Sequence, residues 1–315
     1  MIQIDLITGF LGSGKTTFIK KYAGYLMQHG LSIGILENDF GAVNVDAMLL
    51  QDILGEHCTL EMVSGGCDAD CHRRRFKTKL IAMGMSGYDR VLVEPSGIFD
   101  MDEFFDILHE DPLERWYTIG NVITIVDAGL EFSLSDASEY LLISQASKAG
   151  TLLYSHTQEV PPAHLTAVQQ YLNGLYDKFH CERSPYQTAL TKDWASLTDA
   201  DFAGILSSGY FAAEMPKLWF DSQETYDSLY FMNLPLSVTY LKESGQKILN
   251  DPSCGRVFRI KGFCRQTDGQ WFSINMTKQT MCIEPIVNGQ AILIVIGEGL
   301  HQDAIEAYWG PSRPT

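Results

Sequence analysis

Gly9-Phe10-Leu11-Gly12-Ser13-Gly14-Lys15-Thr16-Thr17 is the most informative motif in this chain. It matches the pattern G-x-x-x-x-G-K-[ST], in which the backbone N–H groups of a glycine-rich loop surround a phosphate. The apolar run Ile2–Thr8 precedes it, and an amphipathic pattern from Phe18 to Leu26 follows, with Gly30 as the helix stop. The motif requires this order of strand, loop and helix, because the helix N-terminus adds a partial positive charge. The stretch therefore predicts a phosphate-binding loop rather than a glycine-rich turn without a ligand.

The loop also assigns tasks to individual residues. Lys15 is expected to reach the β- and γ-phosphates of a nucleoside triphosphate, and the Thr16 hydroxyl is expected to ligate Mg²⁺. The residues of this loop that are predicted to contact the nucleotide are Gly9, Gly12, Ser13, Gly14, Lys15, Thr16 and Thr17. The predicted cofactors are therefore GTP or ATP, together with Mg²⁺.

Short β-branched runs alternate with helical patterns through the first half of the chain, which predicts βαβ units and a mostly parallel sheet. The predicted strands are Ile2–Thr8, Ser32–Glu37, Thr59–Val63, Arg90–Glu94, Val122–Asp127 and Thr151–Tyr154. Pro161 and Pro162 open another helix, which reaches Leu175. We predict an α/β fold for this part, a P-loop NTPase domain.

The pattern changes in the second half. From Cys181 to Gln223 we predict tail and linker, with one short helix at Leu197–Leu206. Beyond it, β-rich runs with two hairpin signals and a closing helix predict a smaller α+β domain. These features are the strands Leu236–Leu241, Val257–Phe263, Trp271–Ile274, Thr280–Ile286 and Ile292–Gly297, the turns Asp268-Gly269 and Asn288-Gly289, and the helix Gln302–Trp309. The predicted domains are 1–222 and 223–315.

The composition of the chain limits its class. Its 315 residues are 45% hydrophobic and 20% charged, as in globular proteins, and the formal net charge is -16. An acidic chain argues against a dedicated nucleic-acid binder, which carries a basic face. No signal peptide and no membrane span is expected, and seven scattered cysteines do not suggest a disulfide framework. We therefore expect a cytoplasmic protein.

Val91-Leu92-Val93-Glu94-Pro95-Ser96-Gly97 is an apolar strand that ends in a carboxylate and a glycine. Glu94 is predicted to hold Mg²⁺ through a bound water, and Gly97 to offer its N–H to the γ-phosphate. An acid after a strand is often only a solvated strand end. The phosphate-binding loop earlier in the chain favours the functional interpretation.

Glu37-Asn38-Asp39-Phe40-Gly41 follows the second predicted strand. Glu37 and Asp39 could contact the metal or position the attacking water. The same residues could instead form an Asx-type turn with Gly41 at a positive φ angle. The residues alone leave both interpretations open.

Cys67, Cys71 and His72 place two thiols and an imidazole in one short segment, Ser64–His72. Such ligands suit Zn²⁺ or a similar transition metal, in an open or transient site rather than a structural one. A loop with incidental cysteines is the alternative.

A basic run follows this segment: Arg73-Arg74-Arg75, with Lys77 and Lys79. It could face phosphate or an acidic partner, although such a run more often forms the solvated face of a helix.

These motifs in this order resemble the CobW-type GTPases, relatives of the urease and hydrogenase nickel-insertion GTPases. The chain has GFLGSGKTT, ENDFG and EPSG where the family has its P-loop, E-N-[ED]-F-G and E-x-[ST]-G segments. Val122–Asp127 looks like the family's fifth strand, and the C-terminal α+β segment, which contains Arg259–Phe263, is similar to the family's C-terminal domain. The resemblance implies a metallochaperone or metalloenzyme activator that couples metal binding to nucleotide hydrolysis. It also implies that Glu37 and Asp39 lie near Mg²⁺.

The chain departs from the family at two motifs. The family's C-x-C-C loop aligns with Cys67, Ala69 and Asp70, and Cys71 and His72 follow directly. The guanine-reading N-K-x-D aligns with Ser155–Gln158. Gln158 then stands where an aspartate would accept two hydrogen bonds from guanine, and its amide has one acceptor oxygen and no charge. The identity of the base stays open.

The sequence therefore predicts a Mg²⁺-dependent nucleoside triphosphatase, a GTPase in particular, that delivers metal or a metallocofactor to an unidentified metalloprotein client. Lys15, Glu37, Asp39 and Glu94 are its predicted catalytic residues, and Gln158 its predicted base contact. Two alternatives remain: a regulatory or scaffold protein that binds nucleotide with little turnover, and a small-molecule P-loop kinase.

Overall fold

The computed structural model describes residues 1–39, 49–64, 69–97, 101–132, 134–182, 189–213, 215–216 and 226–310. The chain divides into two compact units, Met1–Leu218 and Trp219–Thr315. The predicted domain boundary between residues 222 and 223 lies outside the described residues and stays a prediction.

The first unit alternates strands and helices. Its strands are β1 Ile2–Gly9, β2 Ile33–Asp39, β3 Cys58–Ser64, β4 Arg90–Pro95, β5 Tyr117–Asp127, β6 Thr151–Ser155 and β7 Ala189–Leu190. Its helices are α1 Lys15–Gln28, α2 Ala69–Gly84, α3 Met101–Leu108, α4 Leu113–Trp116, α5 Asp136–Ser147, α6 Pro162–Lys178 and α7 Asp199–Leu206.

The seven strands form one parallel sheet in the order β3-β2-β4-β1-β5-β6-β7. Helices cover both faces. Ile123 and Ile125 belong to the buried cluster that contains the apolar residues of α1, whereas Thr124 between them donates its hydroxyl to the Gln145 carbonyl of α5, 2.8 Å away. Strands covered on both faces explain why these runs are apolar at nearly every position. The predicted α/β fold with a parallel sheet is confirmed.

A buried polar network surrounds Asp5, near the start of the central strand β1. Asp5, fully buried in β1, accepts hydrogen bonds from Arg90, the Tyr22 hydroxyl, and both the backbone and side-chain nitrogens of Asn121. The register between β1 and β5 shifts at this point. The strand therefore begins at Tyr117, five residues before the predicted start, because Asp5 satisfies the polar groups of the irregular segment.

Within Cys181–Gln223, the predicted short helix is confirmed as α7, Asp199–Leu206, whereas the prediction of tail and linker is wrong at the strand β7, Ala189–Leu190. β7 extends the sheet beside β6, and α7 begins with a capping box between Thr198 and Asp201. Phe202 is buried and stacks on Tyr25, with 4.8 Å between the ring centroids. A two-residue strand and widely spaced apolar residues leave little periodicity, and only tertiary packing reveals them as part of the core.

The second unit is a five-stranded antiparallel sheet in the order β11-β10-β9-β12-β8. Its elements are β8 Asp227–Met232, α8 Val238–Asn250, β9 Arg256–Arg265, β10 Trp271–Met276, β11 Met281–Ile286, β12 Ile292–Glu298 and α9 Gln302–Trp309. A core of apolar residues from α8, α9 and one sheet face holds it together. The predicted α+β class of this segment and its closing helix are confirmed.

Two predictions in this unit are wrong. Leu236–Leu241 is not a strand: Ser237 caps the N-terminus of α8 through Tyr240, and the buried residues of α8 recur at helical spacing. The signal at Asn288-Gly289 is not a hairpin, because β9 and β10 lie between β11 and β12. The turn at Asp268-Gly269 does join the antiparallel pair β9 and β10.

The fold places the predicted site residues at one edge. β4 lies directly beside β1, and β2 lies beside β4, so the segments after these three strands leave the same edge of the sheet. None of the helices in the described part of the chain is both long and apolar enough to cross a membrane.

Candidate phosphate and metal site

The loop after β1 has the backbone that its glycines allow. Gly9, Gly12 and Gly14 have φ angles of 151°, 82° and 96°, in the region that other residues rarely adopt. A Cβ on Gly9 would lie 2.4 Å from the carbonyl oxygen of Ile125 and 2.5 Å from Ser13 Oγ. Side chains are therefore excluded at Gly9 by contact as well as by conformation.

Lys15 and Thr16 begin α1 with buried side chains, whereas Thr17 is exposed. Lys15 Nζ donates a hydrogen bond to the Gly9 carbonyl across the loop, at 3.0 Å. Thr16 Oγ1 donates to Glu94 Oε1 at 2.8 Å, across 78 positions of sequence. The structure thus brings together the lysine, the hydroxyl and the carboxylate that the sequence assigned to phosphate and Mg²⁺.

Glu37 and Glu94 are paired in register on the neighbouring strands β2 and β4. Side chains at paired positions of parallel strands project to the same face, about 5 Å apart. Both residues are buried, with 2% and 5% exposure. Two buried carboxylates side by side repel each other, so this pair favours a cation. Asp39 continues the same strand, and its side chain lies outside the described part of the structure.

Four polar side chains at this edge have buried atoms without a hydrogen-bond partner among the described residues. They are Thr8, Ser13, Asn38 and Ser96. A buried polar atom left unpaired costs about 1–3 kcal/mol. Their concentration around the loop indicates a site that a polar ligand completes.

Gly97 lies against the phosphate-binding loop. A Cβ on Gly97 would be 2.9 Å from the backbone nitrogen of Leu11, so only glycine allows this approach. The side chain of Gln145, fully buried in α5, donates to the Gly97 carbonyl at 3.0 Å. Sequence reasoning missed Gln145, because a single glutamine within a helical segment has no distinguishing local signal.

Gln158, the predicted base contact, follows β6, whereas Glu94 and Gly97 belong to the β4 side of the loop. Gln158 is exposed in the turn after β6, with its amide 3.4 Å from Glu159 Oε1. His156, at a φ angle of 53°, has its Nδ1 atom 3.2 Å from Asp127 Oδ2. Trp194, which sequence reasoning also missed, borders the loop close to Ser155. The role of Gln158 stays a prediction.

The predicted transition-metal ligands are only partly described. Cys67 lies outside the described residues, whereas Cys71 and His72 are in the first turn of α2. His72 is 1% exposed and shares the buried helix face with Phe76 and Leu80, at i+4 and i+8. Side chains of consecutive helical residues point about 100° apart, so Cys71 faces elsewhere. Within the described residues, no group of three or more His, Cys, Asp or Glu side chains could hold a metal ion.

Part of the basic run in α2 is paired within the fold. Glu110 accepts from Arg73 at 2.7 Å and from Lys77 at 2.5 Å, and Lys79 bonds to Glu61 at 2.6 Å. These hydrogen bonds hold the pKa of the Glu110 carboxyl below its usual value, that from Lys77 most strongly. Three of the five basic side chains thus serve a partly exposed ion-pair network.

Residues 3–180 match the family described as CobW/HypB/UreG, nucleotide-binding domain. The zinc chaperone YeiR of Escherichia coli K12 is 29% identical over 175 residues, which cover 54% of this chain and 51% of YeiR. The zinc chaperone YjiA of the same strain is 34% identical over 137 residues, or 40% of this chain and 41% of YjiA. The chain thus matches about half the length of these relatives, or less.

Among solved structures, the Zn(II)-bound YjiA GTPase from E. coli aligns over 98% of this chain and 97% of its own, at 19% identity and a TM-score of 0.42. The family match covers more than half of the 315 residues and includes the loop and both acidic strand ends. The chain therefore belongs to the CobW/HypB/UreG nucleotide-binding family.

Proposed function

We propose that this protein is a Mg²⁺-dependent nucleoside triphosphatase, a GTPase in particular, that couples hydrolysis to delivery of metal or a metallocofactor to a client protein. One observation carries the proposal: the 2.8 Å hydrogen bond from Thr16 to Glu94, beside buried Lys15 in a glycine loop. Family membership supports the nucleotide-binding part independently.

The residues present fit a magnesium ion. Mg²⁺ prefers hard oxygen ligands, and a hydroxyl and a carboxylate already meet between Thr16 and Glu94. A second carboxylate, Glu37, is the neighbour of Glu94 in register. Thr16 and Glu94 would hold the ion, directly or through water, and it would neutralise charge on the phosphate oxygens.

The chain's own groups would act on the phosphates as follows. Lys15 exchanges the Gly9 carbonyl for β- and γ-phosphate oxygens and stabilises the charge that develops there. Gly97 offers its N–H to the γ-phosphate, from a backbone that Gln145 holds in place. Glu37, with Asp39 beyond it, accepts a hydrogen bond from the attacking water and orients it.

Metal delivery is the second half of the proposal. Relatives of this chain are named zinc chaperones, which supports Zn²⁺ or another transition metal as the cargo. Cys67, Cys71 and His72 are the ligands we propose: Cys67 precedes α2 in the chain, and Cys71 and His72 belong to its first turn. The client is a metalloprotein that we do not identify, and we propose that delivery takes place in the cytoplasm.

Phosphate release and nucleotide binding test the proposal together. We expect the full chain to release phosphate from GTP slowly, and only with Mg²⁺. Calorimetry with GTP, ATP and XTP, each with and without Zn²⁺, should show that Zn²⁺ alters nucleotide affinity in the wild type and not in Cys67→Ser.

Each half of the proposal can fail separately. Tight GTP binding without phosphate release would favour a regulatory or scaffold protein. Transfer of the γ-phosphate to a metabolite instead of water would favour a kinase. If Zn²⁺ neither binds nor changes nucleotide affinity, metal delivery loses its support while nucleotide hydrolysis stands.

A further inference from the structure

The phosphate-binding loop has two different sides. On the β4 side lie the buried carboxylates Glu94 and Glu37, which suit a cation. On the opposite side, beyond β5, the strand β6 ends at Ser155, and β7 is followed by the segment that contains Trp194. A base attached to the bound phosphates must leave the loop towards one side. The carboxylate side is occupied by the metal site, which leaves the β6 and β7 side.

Trp194 lies against the loop on that side. A Cβ built on Gly14 would be 3.4 Å from Trp194 Cη2 and 3.8 Å from the Ser155 Cβ. Gly14 directly precedes Lys15, so the indole lies beside the loop at the start of α1, next to the space that a Gly14 side chain would fill. The ring also contacts Phe18 edge-on, with 5.6 Å between centroids, which fixes its position.

The indole N–H of Trp194 has no hydrogen-bond acceptor within the described part of the fold. Trp194 is only half-buried, but its Nε1 atom is shielded from solvent and has no acceptor among the described residues. Buried indole N–H groups usually find a hydrogen-bond partner. A planar ring with an unsatisfied donor beside the phosphate loop is suited to a nucleobase, which presents an aromatic face and acceptor atoms.

We infer that Trp194 forms the aromatic wall of the nucleobase site. The inference rests on the proposed nucleotide binding and adds a specificity residue to it. It assigns base contact to the segment after β7, in addition to the turn Ser155–Gln158 after β6. The side chain acts on the base and ribose, and the phosphates remain with Lys15 and Thr16.

The test separates base from phosphate. Affinities of the full chain for GTP, GDP and inorganic triphosphate are measured by competition against a fluorescent GDP derivative, with Mg²⁺ present. Trp194→Ala should weaken GTP and GDP by about tenfold, as for loss of one base–aromatic contact, and leave inorganic triphosphate within twofold. Trp194→Phe should retain most of the affinity. Trp116→Ala, which removes another half-buried tryptophan of the same unit, should change none of the three.

Two results would overturn the inference. One is a GDP affinity of Trp194→Ala within twofold of the wild type. The other is an equal loss for GDP and inorganic triphosphate, which would mean that Trp194 supports the loop. A wild-type chain that binds no nucleotide would instead reject the proposed function itself.

A second measurement does not depend on the stability of the alanine variant. GDP should quench or shift the tryptophan fluorescence of the wild type, inorganic triphosphate should not, and Trp194→Phe should lose the GDP response. A GDP response that persists in Trp194→Phe would come from another of the five tryptophans and would contradict the inference.

Discussion

Two buried clusters of charged side chains lie along the central strand β1, and they differ in how they are satisfied. Near the start of the strand, both oxygens of Asp5 accept at least two hydrogen bonds each from Arg90, Tyr22 and Asn121. Beyond its end, Glu94 accepts from Thr16 in a setting where Thr8, Ser13 and other side chains have buried atoms without a described partner.

The difference separates a structural cluster from a binding site. A network that satisfies its own charges adds rigidity and leaves nothing for a ligand. A site with more buried polar atoms than partners is stabilised when a ligand supplies them. Burial and charge alone do not distinguish the two, because both clusters have them. The hydrogen bonds of each buried atom do.

The largest effect is expected from breaking the satisfied network. Asp5→Ala would leave Arg90, only 12% exposed, without its carboxylate, and should lower the free energy of unfolding by about 3–5 kcal/mol. Urea denaturation measures this. Asp52→Ala, which removes the exposed partner of Lys20, should cost less than about 1 kcal/mol. The folded fraction of Asp5→Ala should still bind GDP. Loss of GDP binding in that fraction would mean that the Asp5 network also supports the binding site, which would contradict the distinction between the two clusters.

Removing the lysine at the other cluster should spare stability and abolish binding. Lys15→Ala should weaken GTP and GDP at least about a hundredfold, because charge-assisted hydrogen bonds to phosphate are lost. Calorimetry on the full chain decides this, with Lys20→Ala in the next turn of α1 as the control. An affinity of Lys15→Ala within about tenfold of the wild type would reject the phosphate site.

Thr16→Ala tests the proposed metal ligand with a smaller expected effect. It should remove the Mg²⁺-dependent part of GTP affinity, about tenfold, and leave affinity measured in EDTA unchanged. Thr166→Ala, whose hydroxyl is exposed and bonds only to the Pro162 carbonyl among the described residues, is the matched control. The same Mg²⁺ dependence in both variants would remove Thr16 from the metal site.

The smallest change in stability is expected at the partly exposed ion pairs of Glu110 with Arg73 and Lys77. Glu110→Gln should lower stability by less than about 1 kcal/mol at pH 7, because Glu110 is 39% exposed. Lys77 and Arg73 lower the pKa of Glu110 below its usual 4.5, so its contribution is present above that pH and is lost as the pH falls. Thermal unfolding of wild type and variant should therefore converge in acid. A difference that grows in acid would contradict this assignment.

Local sequence predicted the parts that are contiguous along the chain. The glycine loop is one such part, because its backbone conformation and the helix that follows are encoded in nine adjacent residues. The same holds for the apolar strands of the parallel sheet, whose continuous hydrophobicity reflects burial on both faces. The strand prediction for Leu236–Leu241 was wrong because its local pattern is ambiguous. An alternating apolar run of six residues fits a strand and one face of a helix equally well. Ser237 favours the helix, because its side chain caps the N-terminus of α8.

Only the tertiary structure decided which distant residues meet. Thr16 and Glu94 are 78 positions apart, and Gln145 reaches Gly97 across 48. Trp194 lies in a stretch with almost no periodic signal, yet it lies beside Gly14 because the preceding strand β7 pairs with β6. That this chain has a phosphate loop in an α/β domain can be read from its sequence alone, because that information is local. Which side chains surround the loop was decided by strand order, which depends on packing over the whole domain.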